Sequence, residues 1–118
     1  MDAWGTPSIG ANDLVLRAGP IAPGEPGIFY YGPGQVAALP FGNGFRCVGG
    51  PVGSVVRVFP FLIADIHGFL TGPIDNTNPT HAQLTSGTTL HFQAWYRDPA
   101  GGGDGFNLSD GYRVAFTL

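Results

Sequence analysis

The chain has 118 residues, of which 20 are glycine and 11 are proline, yet 43% are hydrophobic and only 11% are charged. This mixture is too apolar for a disordered segment, so we expect one folded domain spanning residues 1–118. The net charge of −3 argues against nucleic-acid binding, the absence of lysine excludes lysine-amine chemistry, and a single cysteine excludes an internal disulfide.

The first half of the chain predicts short strands separated by glycine and proline turns. Alternating or β-branched residues indicate strands over Asp13–Ala18, Gly27–Gly32 and Phe45–Val48. Between them, the segment Phe41-Gly42-Asn43-Gly44-Phe45 is typical of a hairpin, and its Asn-Gly pair predicts a type I′ turn. Residues 1–10 show no such pattern and are expected to form a loosely ordered lead-in.

The second half begins with an apolar segment, Val55–Asp65, that reads as two strands, or as one strand bent at Pro60. Polar and charged residues interrupt the apolar run too often for it to insert into a membrane. The segment His67–Ser86 predicts a long loop with one edge strand near Phe69–Thr71. Clean alternation then predicts strands over Thr88–Arg97 and Gly111–Thr117.

These elements add up to seven or eight short strands with no substantial helix between them. Closely spaced strands punctuated by turns are typical of antiparallel sheets that pack face to face. We therefore predict an all-β fold, either an antiparallel β-sandwich or a jelly roll.

The strand Thr88–Arg97 carries the most informative candidate site. One row of its side chains is apolar, whereas the opposite row is His91, Gln93, Trp95 and Arg97. An indole beside planar hydrogen-bonding groups suits a sugar ring, so this row, with Tyr30 or Tyr31 nearby, is our candidate ligand-binding surface. The alternative is that Trp95 packs beneath a loop or a second sheet.

A glycine-rich segment after this strand carries four oxygen-bearing side chains that together suit calcium: Asp98, Asp104, Asn107 and Asp110. Their spacing matches no established calcium motif, and an ordered loop without metal explains the same residues. No other cofactor is indicated. The three histidines lie far apart in the sequence and no serine lies in a nucleophile motif, so we predict that the protein is not an enzyme.

Four segments resemble an uncharacterised all-β module: ANDLVLRA (Ala11 to Ala18), FYYGPGQV (Phe29 to Val36), PFGNGFRCVGG (Pro40 to Gly50) and FQAWYRDPAGGGDGFNLSDG (Phe92 to Gly111). That module occurs at the C-terminal ends of large secreted or cell-surface proteins of planctomycetes, myxobacteria and related marine bacteria. The resemblance covers residues Pro7 to Thr117. It implies export and an accessory role on a larger polypeptide, and it assigns no catalytic residue.

Two features depart from that module. Its members carry a second cysteine near the C-terminus, where this chain has Thr117, which implies that their counterpart of Cys47 pairs across the sandwich. Here Cys47 is expected to be a buried, unreactive thiol. The segment His67–Thr85 is also longer than in the module.

Two functions follow as hypotheses. The first is a non-catalytic extracellular accessory module that binds a polysaccharide or cell-surface polymer through the aromatic and polar sheet face. The second is a structural, anchoring or self-assembling module whose apolar rows contact another protein, either a further copy or a domain of the parent chain. The second hypothesis rests on high hydrophobicity with few charges to keep sheet edges apart.

Overall fold

The structure, a computed structural model, describes all residues from Met1 to Leu118 and confirms the all-β prediction. It contains ten strands, and every pairing between them is antiparallel. The strands are β1 (Asp2–Trp4), β2 (Val15–Ala18), β3 (Pro26–Gly32), β4 (Gly34–Phe41), β5 (Gly44–Gly49), β6 (Val56–Ile63), β7 (Leu70–Pro73), β8 (Thr89–Arg97), β9 (Phe106–Leu108) and β10 (Tyr112–Ala115). The only helical segments are the 3-10 turns Pro79–His81 and Pro99–Gly101. Neither is long or apolar enough to cross a membrane.

The strands form two packed sheets and one separate hairpin. The small sheet has the order β1-β2-β7, and the large sheet has the order β10-β8-β3-β6, with β9 paired to the end of β8. Strands β4 and β5 pair only with each other. A cluster of fifteen buried residues, drawn from both sheets and the segments beside them, forms the main core of this sandwich-like fold.

Alternation along β3 and β8 determines which side chains enter that core. Phe29 and Tyr31 on β3 are paired with Ala94 and Phe92 on β8, and all four belong to the core cluster. The predicted apolar row of β8 therefore faces the small sheet. The opposite row faces away from it, toward the β4–β5 hairpin.

The long segment His67–Ser86 contains one short strand, β7, close to its predicted position. Ile74, His81 and Leu84 are buried and attach the segment to the core. The Tyr31 hydroxyl lies 2.7 Å from His81 Nδ1, so the one imidazole buried beneath this segment has a polar partner. A few anchors of this kind hold a segment that is otherwise polar.

Two local expectations need correction, and one choice between alternatives is settled. The expected lead-in includes an edge strand, β1, which pairs with β2. Of the two alternatives for Val55–Asp65, the structure has the single strand, Val56–Ile63, with an irregularity in its pairing to β3. The hairpin turn is centred on Gly42-Asn43, one residue earlier than predicted. Gly42 has φ +59° and Asn43 does not have positive φ, which is the requirement of a type II′ turn and not of type I′.

Candidate functional site

The outer face of the large sheet is only half covered. The β4–β5 hairpin packs over β8 and β9, where Val48 joins a second small cluster with Tyr30 and Leu108. No strand pairing holds the hairpin there. Its attachment therefore depends on side chains and on one backbone hydrogen bond, which the N–H of Asn43 donates to the carbonyl of Phe106 at 2.9 Å.

Gln93 is the main attachment. Its side chain is fully buried, and its Nε2 donates hydrogen bonds to the carbonyls of Phe45 and Ser109 at 2.8 and 2.7 Å. Its Oε1 accepts hydrogen bonds from the Tyr30 hydroxyl and from the backbone N–H of Cys47. One amide thus joins β3, β5, β8 and the segment before β10, and burial raises the pKa of the Tyr30 phenol so that it stays a donor.

An aromatic stack makes a second attachment at the hairpin tip. The Trp95 ring lies 5.6 Å from the Phe106 ring, which meets Phe41 edge-on at 5.5 Å. Asn43 at the turn accepts a hydrogen bond from the N–H of Asp104 and donates one to the carbonyl of Gly102. The tip is therefore fixed to the glycine-rich loop that follows β8.

Beside the hairpin, the uncovered half of the sheet forms an open groove of about 800 Å³, which we call the aromatic groove. Its floor comes from β3, β8 and β9, one wall comes from the hairpin, and the other comes from β6. Nine of its twelve lining residues are hydrophobic. The other three are polar, and the full lining is Ile28, Tyr30, Phe41, Arg46, Val55, Val56, Arg57, Phe59, Phe61, Thr80, Trp95 and Leu108.

The walls of the aromatic groove expose large apolar side chains. Phe41 on the hairpin is 45% exposed, and Phe59 and Phe61 on β6 are 64% and 55% exposed. Leu39 and Ile63 are also exposed and continue these two rows, since each lies two residues from a lining phenylalanine. Exposed apolar patches of this kind are typical of surfaces that contact another molecule.

The charge inside the aromatic groove is positive although the chain is acidic overall. Arg46 and Arg57 line it, and none of the eight acidic residues does. The ion pairs within the chain are Met1 with Asp110 and Arg17 with Asp2, so neither groove arginine is neutralised by a carboxylate. The groove therefore combines an apolar floor with two uncompensated cations.

The structure distributes the predicted ligand-binding residues among different environments. Trp95 and Tyr30 line the aromatic groove, whereas His91 and Arg97 lie on β8 outside it. Gln93 and Tyr31 are both 0% exposed, Gln93 beneath the hairpin and Tyr31 in the main core. These two are thus removed from the candidate site, because their polar atoms are already hydrogen-bonded within the chain.

The residues considered for calcium are held in separate contacts. The Asp110 carboxylate accepts a hydrogen bond from the N-terminal ammonium of Met1, and Asn107 Oδ1 accepts one from the backbone N–H of Leu108. Asp98 precedes a 3-10 turn, and Asp104 contributes its backbone N–H to Asn43. No group of three or more His, Cys, Asp or Glu side chains comes together to hold a metal ion. The geometry gives the calcium hypothesis no support.

Cys47 is half-buried rather than fully buried, and it has no disulfide partner. Burial raises the pKa of its thiol, and the nearby negative charge of Asp110 raises it further. Because the thiolate is the reactive form, a raised pKa disfavours reaction of this thiol.

The sequence analysis missed the β6 wall. Phe59 and Phe61 lie in an apolar strand whose sequence resembles that of a buried core strand. Only Arg57, a charged residue among apolar neighbours, signals that one face of β6 meets solvent.

Comparisons of the chain with protein-family models, with curated proteins and with solved structures found no significant match.

Proposed function

We propose that this domain is a non-catalytic interaction module whose aromatic groove receives a segment of a partner polypeptide. The observation that carries the proposal is the pair of exposed aromatic walls, with Phe41 facing Phe59 and Phe61 across a floor that includes Trp95. On the resemblance described above, the module belongs to an exported or cell-surface protein, where such a groove joins it to another chain or domain.

The exposed area supports a polypeptide over a small ligand. At about 200 Å² for an aromatic side chain, the exposed fractions of Phe41, Phe59 and Phe61 amount to roughly 330 Å². Leu39 and Ile63 bring the exposed apolar surface to roughly 500 Å². A standard protein interface buries about 800 Å² per partner, slightly more than half of it apolar. Small ligands, by contrast, are usually enclosed over most of their surface, and this groove is open.

The test uses a library of immobilised 12-residue peptides in which apolar residues alternate with polar ones. We expect the wild-type domain to bind a subset of the peptides, and Phe61→Ser to reduce that binding at least tenfold. Phe45→Ser is the matched control, because Phe45 is 58% exposed and is paired with Pro40 on the hairpin face opposite Phe41. Equal losses in both variants, or no peptide bound by the wild type, would contradict the proposal.

Carbohydrate binding is the second candidate, favoured by Trp95 on the groove floor; Tyr30 beside it is buried, and its hydroxyl is already bonded to Gln93. No carboxylate or amide lines the groove to accept hydrogen bonds from sugar hydroxyls, so stacking would supply most of the affinity. In a Trp4→Phe background, Trp95 is the only indole and its fluorescence reports the groove directly. Titration with soluble polysaccharides that leaves this fluorescence unchanged rejects the candidate.

A further inference from the structure

We infer that the partner segment bound in the aromatic groove is acidic: an extended peptide whose apolar side chains alternate with carboxylates. This inference rests on the proposed function and specifies the partner. It follows from the placement of charges around the groove rather than from its apolar surface.

Arg46 and Arg57 are placed to select for carboxylates. They are two of the five arginines of the chain, they stand on opposite walls, and no acidic side chain lines the space between them. Arg46 is oriented by a hydrogen bond from its Nε to the carbonyl of Val48, which leaves its terminal nitrogens free. Guanidinium groups that lack a partner on a partly apolar surface bind carboxylates through charge-assisted hydrogen bonds.

The same charges argue against a second copy of this chain docking face to face. A two-fold symmetric contact between two aromatic grooves would bring four arginines together without a carboxylate among the lining residues. Like charges brought together at an interface repel each other and disfavour the contact. The aromatic groove therefore favours an acidic segment of another polypeptide over the groove of a second copy of this chain.

The experiment compares three sets of 12-residue peptides that share the same apolar residues and differ only in the alternating position, which is Glu, Gln or Lys. Fluorescence anisotropy at low salt measures each affinity. We expect Glu peptides to bind at least tenfold more tightly than Gln peptides and Lys peptides to bind most weakly. We also expect added salt to reduce the preference for Glu.

The double variant Arg46→Gln/Arg57→Gln should abolish the preference for Glu, so that Glu and Gln peptides bind this variant with similar affinity. Arg97→Gln/Arg113→Gln is the matched control, since it removes the same charge from residues outside the groove and should retain the preference. If Glu, Gln and Lys peptides bind equally, the acidic partner is wrong and the proposed function stands. If no peptide binds, both fail.

Two parallel measurements test for other occupants of the aromatic groove, namely a second copy of the chain and a membrane surface. Sedimentation that shows self-association abolished by Phe61→Ser would overturn the inference in favour of a second copy. Phosphatidylglycerol vesicles that bind the domain through Phe61, while Glu peptides do not bind, would overturn it in favour of a membrane surface.

Discussion

Cysteine at position 111 should form a disulfide with Cys47 without moving the backbone. A Cβ built at Gly111 lies 3.1 Å from Cys47 Sγ. In a disulfide with an S–S bond of about 2.05 Å, the Cβ of one cysteine lies about 3 Å from the sulfur of the other. Gly111 does not adopt positive φ, so the backbone there accepts a side chain. Gly111→Cys therefore places a second thiol at bonding position.

The new bond would close a loop from residue 47 to residue 111 and tie the hairpin to the start of β10. Chain-entropy arguments assign about 4 kcal/mol to a loop of this length, which corresponds to an increase in Tm of roughly 10 °C or more for a domain of this size. Because the pKa of the Cys47 thiol is raised, oxidation should be carried out with oxidised glutathione at about pH 9. Loss of free thiol and urea unfolding, with and without reductant, measure bond formation and stability.

Thr117→Cys is the matched control, because it places the second thiol where the resembling module carries one. Thr117 donates its backbone N–H to Pro7 at the far end of β10, about 20 Å along the extended chain from Gly111. We expect this variant to keep two free thiols. If Thr117→Cys cross-links and Gly111→Cys does not, the position of the hairpin described here is wrong.

Three further predictions concern the buried polar groups and the hairpin. Gln93→Leu leaves four hydrogen-bonding groups unpaired and should lower the free energy of unfolding in urea by about 3 kcal/mol or more. Tyr30→Phe removes a single hydrogen bond and should cost about 1 kcal/mol. Equal losses in the two variants would contradict the role of Gln93. Burial lowers the pKa of His81, so the unfolded state binds the proton first and stability should fall as pH drops below about 6.5. His81→Gln should remove more of that slope than His91→Gln, because His81 is only 3% exposed whereas His91, whose pKa is also lowered by burial, is half-buried. Asn43→Ala should cost about 1 kcal/mol in urea unfolding and, by hydrogen exchange, increase exchange in the hairpin tip; unchanged exchange would refute the attachment.

Much of the sandwich was predictable because alternation is a local property. The apolar row Leu90, Phe92 and Ala94 had to share one face of β8, and it forms the core in the structure. The turn was misplaced by one residue because Gly42-Asn43 and Asn43-Gly44 both offer a two-residue hairpin, and the choice depends on contacts of Phe41 and Asn43 with a loop about sixty residues away.

The candidate site was only half predictable, for a different reason. Alternation assigned Gln93 and Trp95 correctly to one face of β8, but it carries no information on what covers that face. The cover is a hairpin that ends more than forty residues earlier, and it seals Gln93 while leaving Trp95 to form part of the groove floor. A polar residue in an outer row therefore predicts either a ligand contact or a buried network, and only the tertiary structure distinguishes them.

The network and the aromatic groove are physically linked, since the hairpin forms one groove wall and has no strand pairing to the large sheet. Side chains hold it there, together with one backbone hydrogen bond from Asn43 to Phe106. Gln93 fixes β5 through two backbone groups, and Phe106 positions Phe41 at the tip. A substitution at Gln93 should therefore displace Arg46 and Phe41 relative to the floor and weaken peptide binding, although Gln93 itself touches no ligand. The residue first considered for sugar contact would thus affect binding by positioning the wall that makes the contact.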